Sequence, residues 1–182
     1  MTRTLILIVA TLGLVYVSRK SLCQPRAHGF YRFFAWEAIL LLMVLNSQQL
    51  LHLPLSTQQV ASWVCFSISM YLVCHSVCLL TLIGKPSRQR TDDALFSFER
   101  TSTLVTSGTF KYIRHPIYTS LLFLTAAAFL QQPAWSGVLL AGIATGFIVI
   151  TALHDEAECK QHFGLEYSAY MQHTTRFIPF LF

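Results

Sequence analysis

The sequence predicts an all-α fold, an integral membrane helical bundle of five transmembrane helices with a C-terminal cytoplasmic helical extension. Three observations carry that expectation. Of the 182 residues 54% are hydrophobic and only 12% charged, with a mean hydropathy of +0.53, too apolar for a soluble globule of this size. The apolar residues fall into runs approaching the roughly 20 residues that a helix needs to cross a hydrocarbon core of about 30 Å. Lysines and arginines gather in alternate connections between those runs. The formal net charge of +5 is not laid out as a nucleic-acid groove, and no nucleic-acid partner is expected.

The chain reads as one membrane domain, 1–182, in which 1–90 supplies three spans and 101–182 supplies a loop, a helical hairpin and terminal helices. The first span, Thr4 to Val17, follows Arg3 and precedes Ser18-Arg19-Lys20 rather than a small-residue cleavage site, so it is read as retained. The second, Phe33 to Leu53, carries Glu37, close enough to Arg32 to form a structural ion pair, and Pro54 stops it. The third, Val60 to Ile83, has no Asp, Glu, Lys or Arg and ends at Gly84-Lys85-Pro86. The fourth, Ile117 to Leu130, is short, and the fifth runs from Trp135 to Leu153.

Arg19, Lys20, Arg26 and Arg32 lie near the first connection, and Lys85, Arg88, Arg90, Arg100, Lys111 and Arg114 lie in the third. The alternate connections, 46–59 and 131–134, carry no Asp, Glu, Lys or Arg. Basic residues concentrate in cytoplasmic loops, which puts the N-terminus outside and the C-terminus in the cytoplasm. The short connection Gln131 to Ala134 makes spans four and five an antiparallel hairpin. Arg114-His115-Pro116-Ile117-Tyr118 then faces His154-Asp155-Glu156-Ala157-Glu158 across a cleft. Glu156 and Lys160 at i, i+4, with Gly164 as C-cap, carry the fifth helix past the bilayer. Leu165 to Gln172 forms a further short helix, and the apolar end from Phe177 to Phe182 lies in the interface or against the cleft.

The five cysteines make no disulfide framework, and Cys74-His75-Cys78 is read as helix packing rather than a metal site, so no metal is expected. His52, His75 and His173 are read as packing or surface residues. No nucleophile elbow, phosphate-binding glycine loop or histidine-rich zinc helix is present, which excludes most hydrolase and nucleotide-triphosphate chemistry. What remains is a cleft with hydrogen-bonding and acidic groups, open to water and to lipid.

Thr103-Leu104-Val105-Thr106-Ser107-Gly108, Phe110, Arg114-His115-Pro116-x-Tyr118, the pair Asp155-Glu156 and Phe163-Gly164-Leu165-Glu166-Tyr167-x-x-Tyr170 together resemble the isoprenylcysteine carboxyl methyltransferase family. The related membrane phospholipid methyltransferases share the looser pattern. The resemblance runs from Thr101 to Pro179. It implies S-adenosylmethionine as cofactor, held by Ser102, Thr103, Leu104, Val105, Phe110, His115, Pro116, Ile117, Tyr118, Asp155 and Glu156. The family has Glu-Glu where this chain has Asp155-Glu156, and either residue could make the contact. Eukaryotic members have an arginine, thought to meet the acceptor carboxylate, where this chain has Thr151, so a carboxylate acceptor would turn to Arg114 or Arg176. The short chain points to a prokaryotic type in the inner membrane, acting on a lipophilic or amphipathic acceptor from the bilayer.

The chemistry agrees with those residue types. A sulfonium and an ammonium suit carboxylates and ring faces, the latter worth about 0.5 to 2 kcal/mol. An acceptor carboxylate is already ionised and needs no base, whereas an amine or thiol would call on His115, His154 or Glu156; no catalytic residue is assigned. Other readings are phospholipid or small-thiol or amine methylation, a nicotinamide-dependent reductase of the membrane sterol type, and a non-catalytic scaffold. Oligomeric state is not legible.

Overall fold

The computed structural model describes residues 2–47, 56–86 and 95–179. They form six α-helices: α1 (Thr2–Leu22), α2 (His28–Asn46), α3 (Thr57–Leu82), α4 (Pro116–Gln131), α5 (Trp135–Phe163) and α6 (Leu165–Gln172), with 3-10 turns at Ser97–Glu99 and Gly108–Lys111 between α3 and α4. Four of the helices, α1, α2, α3 and α5, are long and apolar enough to cross a membrane. Helix α4 is apolar but has 16 residues, about 24 Å of rise, and falls short of that length.

The helices invert the polarity of a soluble bundle. Large apolar side chains point outward, with Leu5, Leu12, Tyr71 and Leu139 all more than half exposed. Small and polar ones occupy the contacts between helices, as expected where lipid competes for apolar surface and close backbone approach drives association. On α3 the buried residues are Gln59, Ser62, Ser69, Leu72 and Ser76, a stripe at helical spacing. Ser62 Oγ donates to the Ala127 carbonyl at 2.8 Å and Ser69 Oγ to the Ser120 carbonyl at 2.7 Å, which joins α3 to α4. Asn46 Nδ2 donates to the Ala128 carbonyl at 2.8 Å and ties α2 to the same helix. The core lies deeper, where Ala35, Ala38 and Ile39 of α2 meet Ala144, Ile148 and Ala152 of α5 together with Tyr118 and Phe177.

Several boundaries differ from the expectation. Helix α2 begins at His28, not Phe33, because the Glu158 carboxylate from α5 accepts the His28 backbone N–H at 2.7 Å; a cap supplied from another helix leaves no local signal. Helix α1 runs to Leu22, with Arg19 and Lys20 in its last turn, where cations complement the helix dipole. Helix α5 continues through Phe163 to Gly164, whose φ is 60°. Pro54, His52, Arg88, Arg90 and Phe180 to Phe182 lie outside the described residues.

The expected Glu37–Arg32 pair is replaced by two separate contacts. Glu37 accepts from Thr11 Oγ1 of α1 at 2.9 Å, while Arg32 Nη1 donates to Glu99 Oε1 in the first 3-10 turn. Positions 32 and 37 are five apart and point to different faces of α2; one faces α1 and the other faces the connection between α3 and α4.

Candidate functional site

The site is assembled where that connection returns to the bundle. Gly108 opens the second 3-10 turn with φ 61°, and a Cβ there would lie 2.6 Å from Leu79 Cδ1 and 2.9 Å from His75 Cε1. Any other residue there would push the Leu79 and His75 side chains aside and hold a backbone conformation that costs it energy. His75 stacks on Tyr71 and its Nδ1 lies 3.4 Å from Thr109 Oγ1. Pro116 starts α4 at its first position, where proline is preorganised and no N–H is missed. A parallel bridge from Ile113 to Thr175, with Arg114 N–H donating to the Thr175 carbonyl at 2.8 Å, draws the C-terminal segment alongside.

Arg114 and His115 meet the acidic pair. Glu156 Oε1 accepts from Arg114 Nε and Arg176 Nε, each at 3.0 Å, and Oε2 accepts from Arg176 Nη2 at 3.0 Å. Arg114 Nη1 also donates to the Met171 carbonyl at 3.2 Å and to that of Thr174. His115 lies between the carboxylates, Nδ1 3.4 Å from Asp155 Oδ2 and Nε2 3.4 Å from Glu156 Oε1. Both partners accept, so the charged ring with two N–H groups matches them. Burial works against that charge, but the hydrogen bonds to Asp155 and Glu156 outweigh it and the His115 pKa is raised. The Arg176 pKa is raised chiefly by its bond to Glu156. Burial pushes the Tyr167 and Tyr170 hydroxyls up, and Tyr170 donates to the Phe110 carbonyl at 2.6 Å.

Above this network lies a cavity of about 100 Å³ whose walls include Leu104, Val105, Phe110, Arg114, His115, Pro116, Ile117, Tyr118 and Asp155. Those nine candidate residues come together around one space. The others do not line it. Ser102 is exposed and its Oγ donates to the Lys85 carbonyl at 2.8 Å. Thr103 is exposed, with its backbone N–H on Gly84. Glu156 sits behind His115 as the counter-ion of the two arginines. Thr151 is fully buried on α5, its Oγ1 donating to the Phe147 carbonyl at 2.7 Å. Arg176 holds Glu156 from outside the cavity. His154 is stacked on Tyr31 and bonded to the Arg26 carbonyl, away from these walls.

The cavity also has walls that sequence reasoning missed: His28, Leu80, Leu95, Glu99, Thr101, Cys159, Phe163, Tyr167 and Tyr170. The Tyr167 and Tyr170 spacing was legible as a helix face. His28 and Glu99 carried no such signal, since neither belongs to a motif and their meeting depends on how α2 packs. His28, Asp155 and Glu158 place one donor atom each within 4.8 Å of one another, a spacing that a metal ion could bridge. Glu158, however, already spends both oxygens on His28, accepting from its backbone N–H and its ring Nδ1.

At the opposite end of the bundle lies a larger cavity of about 380 Å³ among α1 to α4, lined by apolar residues such as Leu40, Met43, Trp63 and Phe66. Among the described residues its walls carry no ionisable group, whereas those of the smaller cavity carry His28, Glu99, Arg114, His115 and Asp155.

Fold and site together define a helical protein with four helices long and apolar enough to cross a membrane and a cavity at one end of the bundle, bounded by two imidazoles, two carboxylates and an arginine. No family model, curated protein or solved structure matches the chain.

Proposed function

We propose that this chain is an integral membrane methyltransferase that binds S-adenosylmethionine in the 100 Å³ cavity and serves a lipophilic or amphipathic acceptor, a carboxylate as in isoprenylcysteine carboxyl methylation. The observation that carries the reading is the convergence of nine residues from the two motif blocks on one space, with Asp155 among its walls and Glu156 taken up by Arg114 and Arg176. The bound cofactor would supply an electrophilic methyl group, transferred by in-line displacement at carbon.

The walls suit such a ligand. Leu104, Val105, Phe110 and Tyr118 offer apolar and ring surface, Asp155 offers an anion to a sulfonium or ammonium, and Arg114 is the cavity-lining cation for a carboxylate. His115 is held by Asp155 and Glu156 and acts as a positioning residue that fixes the Asp155 carboxylate. Reaction at about 3 to 3.5 Å separation draws its acceleration mainly from this holding in place. A nucleoside-sized ligand exceeds 100 Å³ and extends into the open mouth, so binding widens the cleft. In the proposed topology α4 also crosses, as the fourth of five spans, and the charged connections place the cavity on the cytoplasmic side of a prokaryotic inner membrane.

Titration calorimetry of the detergent-solubilised protein with S-adenosylhomocysteine is expected to show saturable binding, weakened at least tenfold by Tyr118→Ala. No heat at millimolar ligand would overturn the reading. Binding of a reduced nicotinamide dinucleotide in its place would favour the reductase alternative. No binding of either, with lower thermal stability in His115→Ala, would make the ionic cluster a purely structural tie.

A further inference from the structure

His28 and Glu99 lie outside the motif-bearing stretch, yet both are walls of the same cavity. His28 is 1% exposed. Its backbone N–H and Nδ1 both reach Glu158, at 2.7 and 2.8 Å. A carboxylate only accepts, so Nδ1 carries the proton in this pair. Glu158 is not a wall of the cavity and Glu99 is, which leaves Nε2 as the nitrogen on the cavity side. Nε2 is buried and has no hydrogen-bond partner among the described residues; Glu99 Oε2 stands 3.9 Å away, beyond hydrogen-bond reach.

Glu99 is held from behind. Its Oε2 accepts from the Phe96 N–H at 2.9 Å and its Oε1 accepts from Arg32, whose guanidinium carbon lies 4.4 Å over the Phe96 ring and 5.1 Å over that of Trp36. An imidazole nitrogen and a carboxylate oxygen are thus fixed across a gap, each with lone pairs or a proton unspent. Buried polar atoms are almost always paired, so the orphan points to a group that arrives with the ligand. A ligand carboxylate would be repelled by Glu99. A hydroxyl suits both sides, because it donates to the carboxylate and either accepts from or donates to the imidazole.

We infer that His28 Nε2 and Glu99 Oε2 form a diol clamp for the ribose of an adenosyl ligand, one hydroxyl on the carboxylate and its vicinal neighbour on the imidazole. The clamp rests on the S-adenosylmethionine reading, whose only hydroxyls are those of the ribose. Acidic side chains serve ribose hydroxyls in the same way in other nucleotide sites. The N-terminal half of the chain, through α2, thereby completes a site otherwise built from the C-terminal half.

The test uses full-length protein and two probes, S-adenosylhomocysteine and its 2′,3′-dideoxyribose analogue, with affinity as the readout. His28→Asn keeps an amide nitrogen near the Nδ1 position for Glu158 and deletes Nε2; His28→Gln places a polar atom near Nε2. Expected are an approximately tenfold loss of S-adenosylhomocysteine affinity in His28→Asn, no change toward the dideoxy analogue, and partial recovery in His28→Gln. Should His28→Asn fail to fold, Glu99→Gln is expected to show the same selective loss. Equal losses for both probes, or no loss for S-adenosylhomocysteine, would overturn the clamp while leaving the adenosyl reading intact. Wild-type protein that binds neither probe would overturn both.

Discussion

Glu156 is the residue on which the ionic cluster turns: its carboxylate is 7% exposed and holds two arginines and a histidine. Removing one partner of a buried ion pair strands the others, at about 3 to 5 kcal/mol. Glu156→Gln is expected to lower unfolding stability in detergent by that order, and Arg176→Ala, at a side chain one-fifth exposed, by about 1 kcal/mol. The two measured together separate a network from a single pair. His115 adds a pH dependence. Its folded-state pKa is raised, so its contribution is fully present below the ordinary histidine value of about 6.5 and is lost as pH rises through the raised value. Unfolding midpoints against pH should therefore fall over that window, and His115→Gln should remove part of the slope; an unchanged slope would assign it to other groups.

At the scale of elements, the long connection between α3 and α4 depends on one glycine. Gly108→Ala puts a Cβ against Leu79 and His75 and asks a non-glycine residue to hold φ 61°, for an expected loss of about 1 to 3 kcal/mol. Because Phe110 rides on the same turn and walls the cavity, ligand affinity should fall with stability. Ser62→Ala, at the far end of α3, should cost about 0.6 kcal/mol, as for an interhelical hydrogen bond in lipid, and leave affinity unchanged. Helix ends were legible at Pro116, which opens α4, and at Gly164, which closes α5, because both signals are local; the start of α3 at Thr57, with Ser56 as its cap, lies ahead of the expected Val60. The start of α2 was not legible, since Glu158 caps it from 130 residues away.

For the whole molecule, outward apolar faces and a small-residue interior match a bundle surrounded by lipid. The proposed topology puts the connection holding Lys111 and the one holding Gln132 on opposite sides of the membrane. In a cysteine-free background, Lys111→Cys and Gln132→Cys should label from opposite sides with an impermeant maleimide. Labelling of both from one side would mean that α4, with 16 residues, does not span.

Composition and run length determined by themselves that the chain is helical and apolar enough for a membrane, because both follow from the residues alone. The facing of Arg114 and His115 with Asp155 and Glu156 was legible too, since a four-residue connection leaves two helices little choice but to fold back. Tertiary structure decided the rest. It sent Arg32 to Glu99 rather than Glu37, set Asp155 in the cavity wall with Glu156 behind it, and buried Thr151 on α5. It also brought His28 and Glu99 to the cavity wall. Each of these depends on the rotation of one helix against another, and one turn of a helix presents every face to some neighbour until packing selects which.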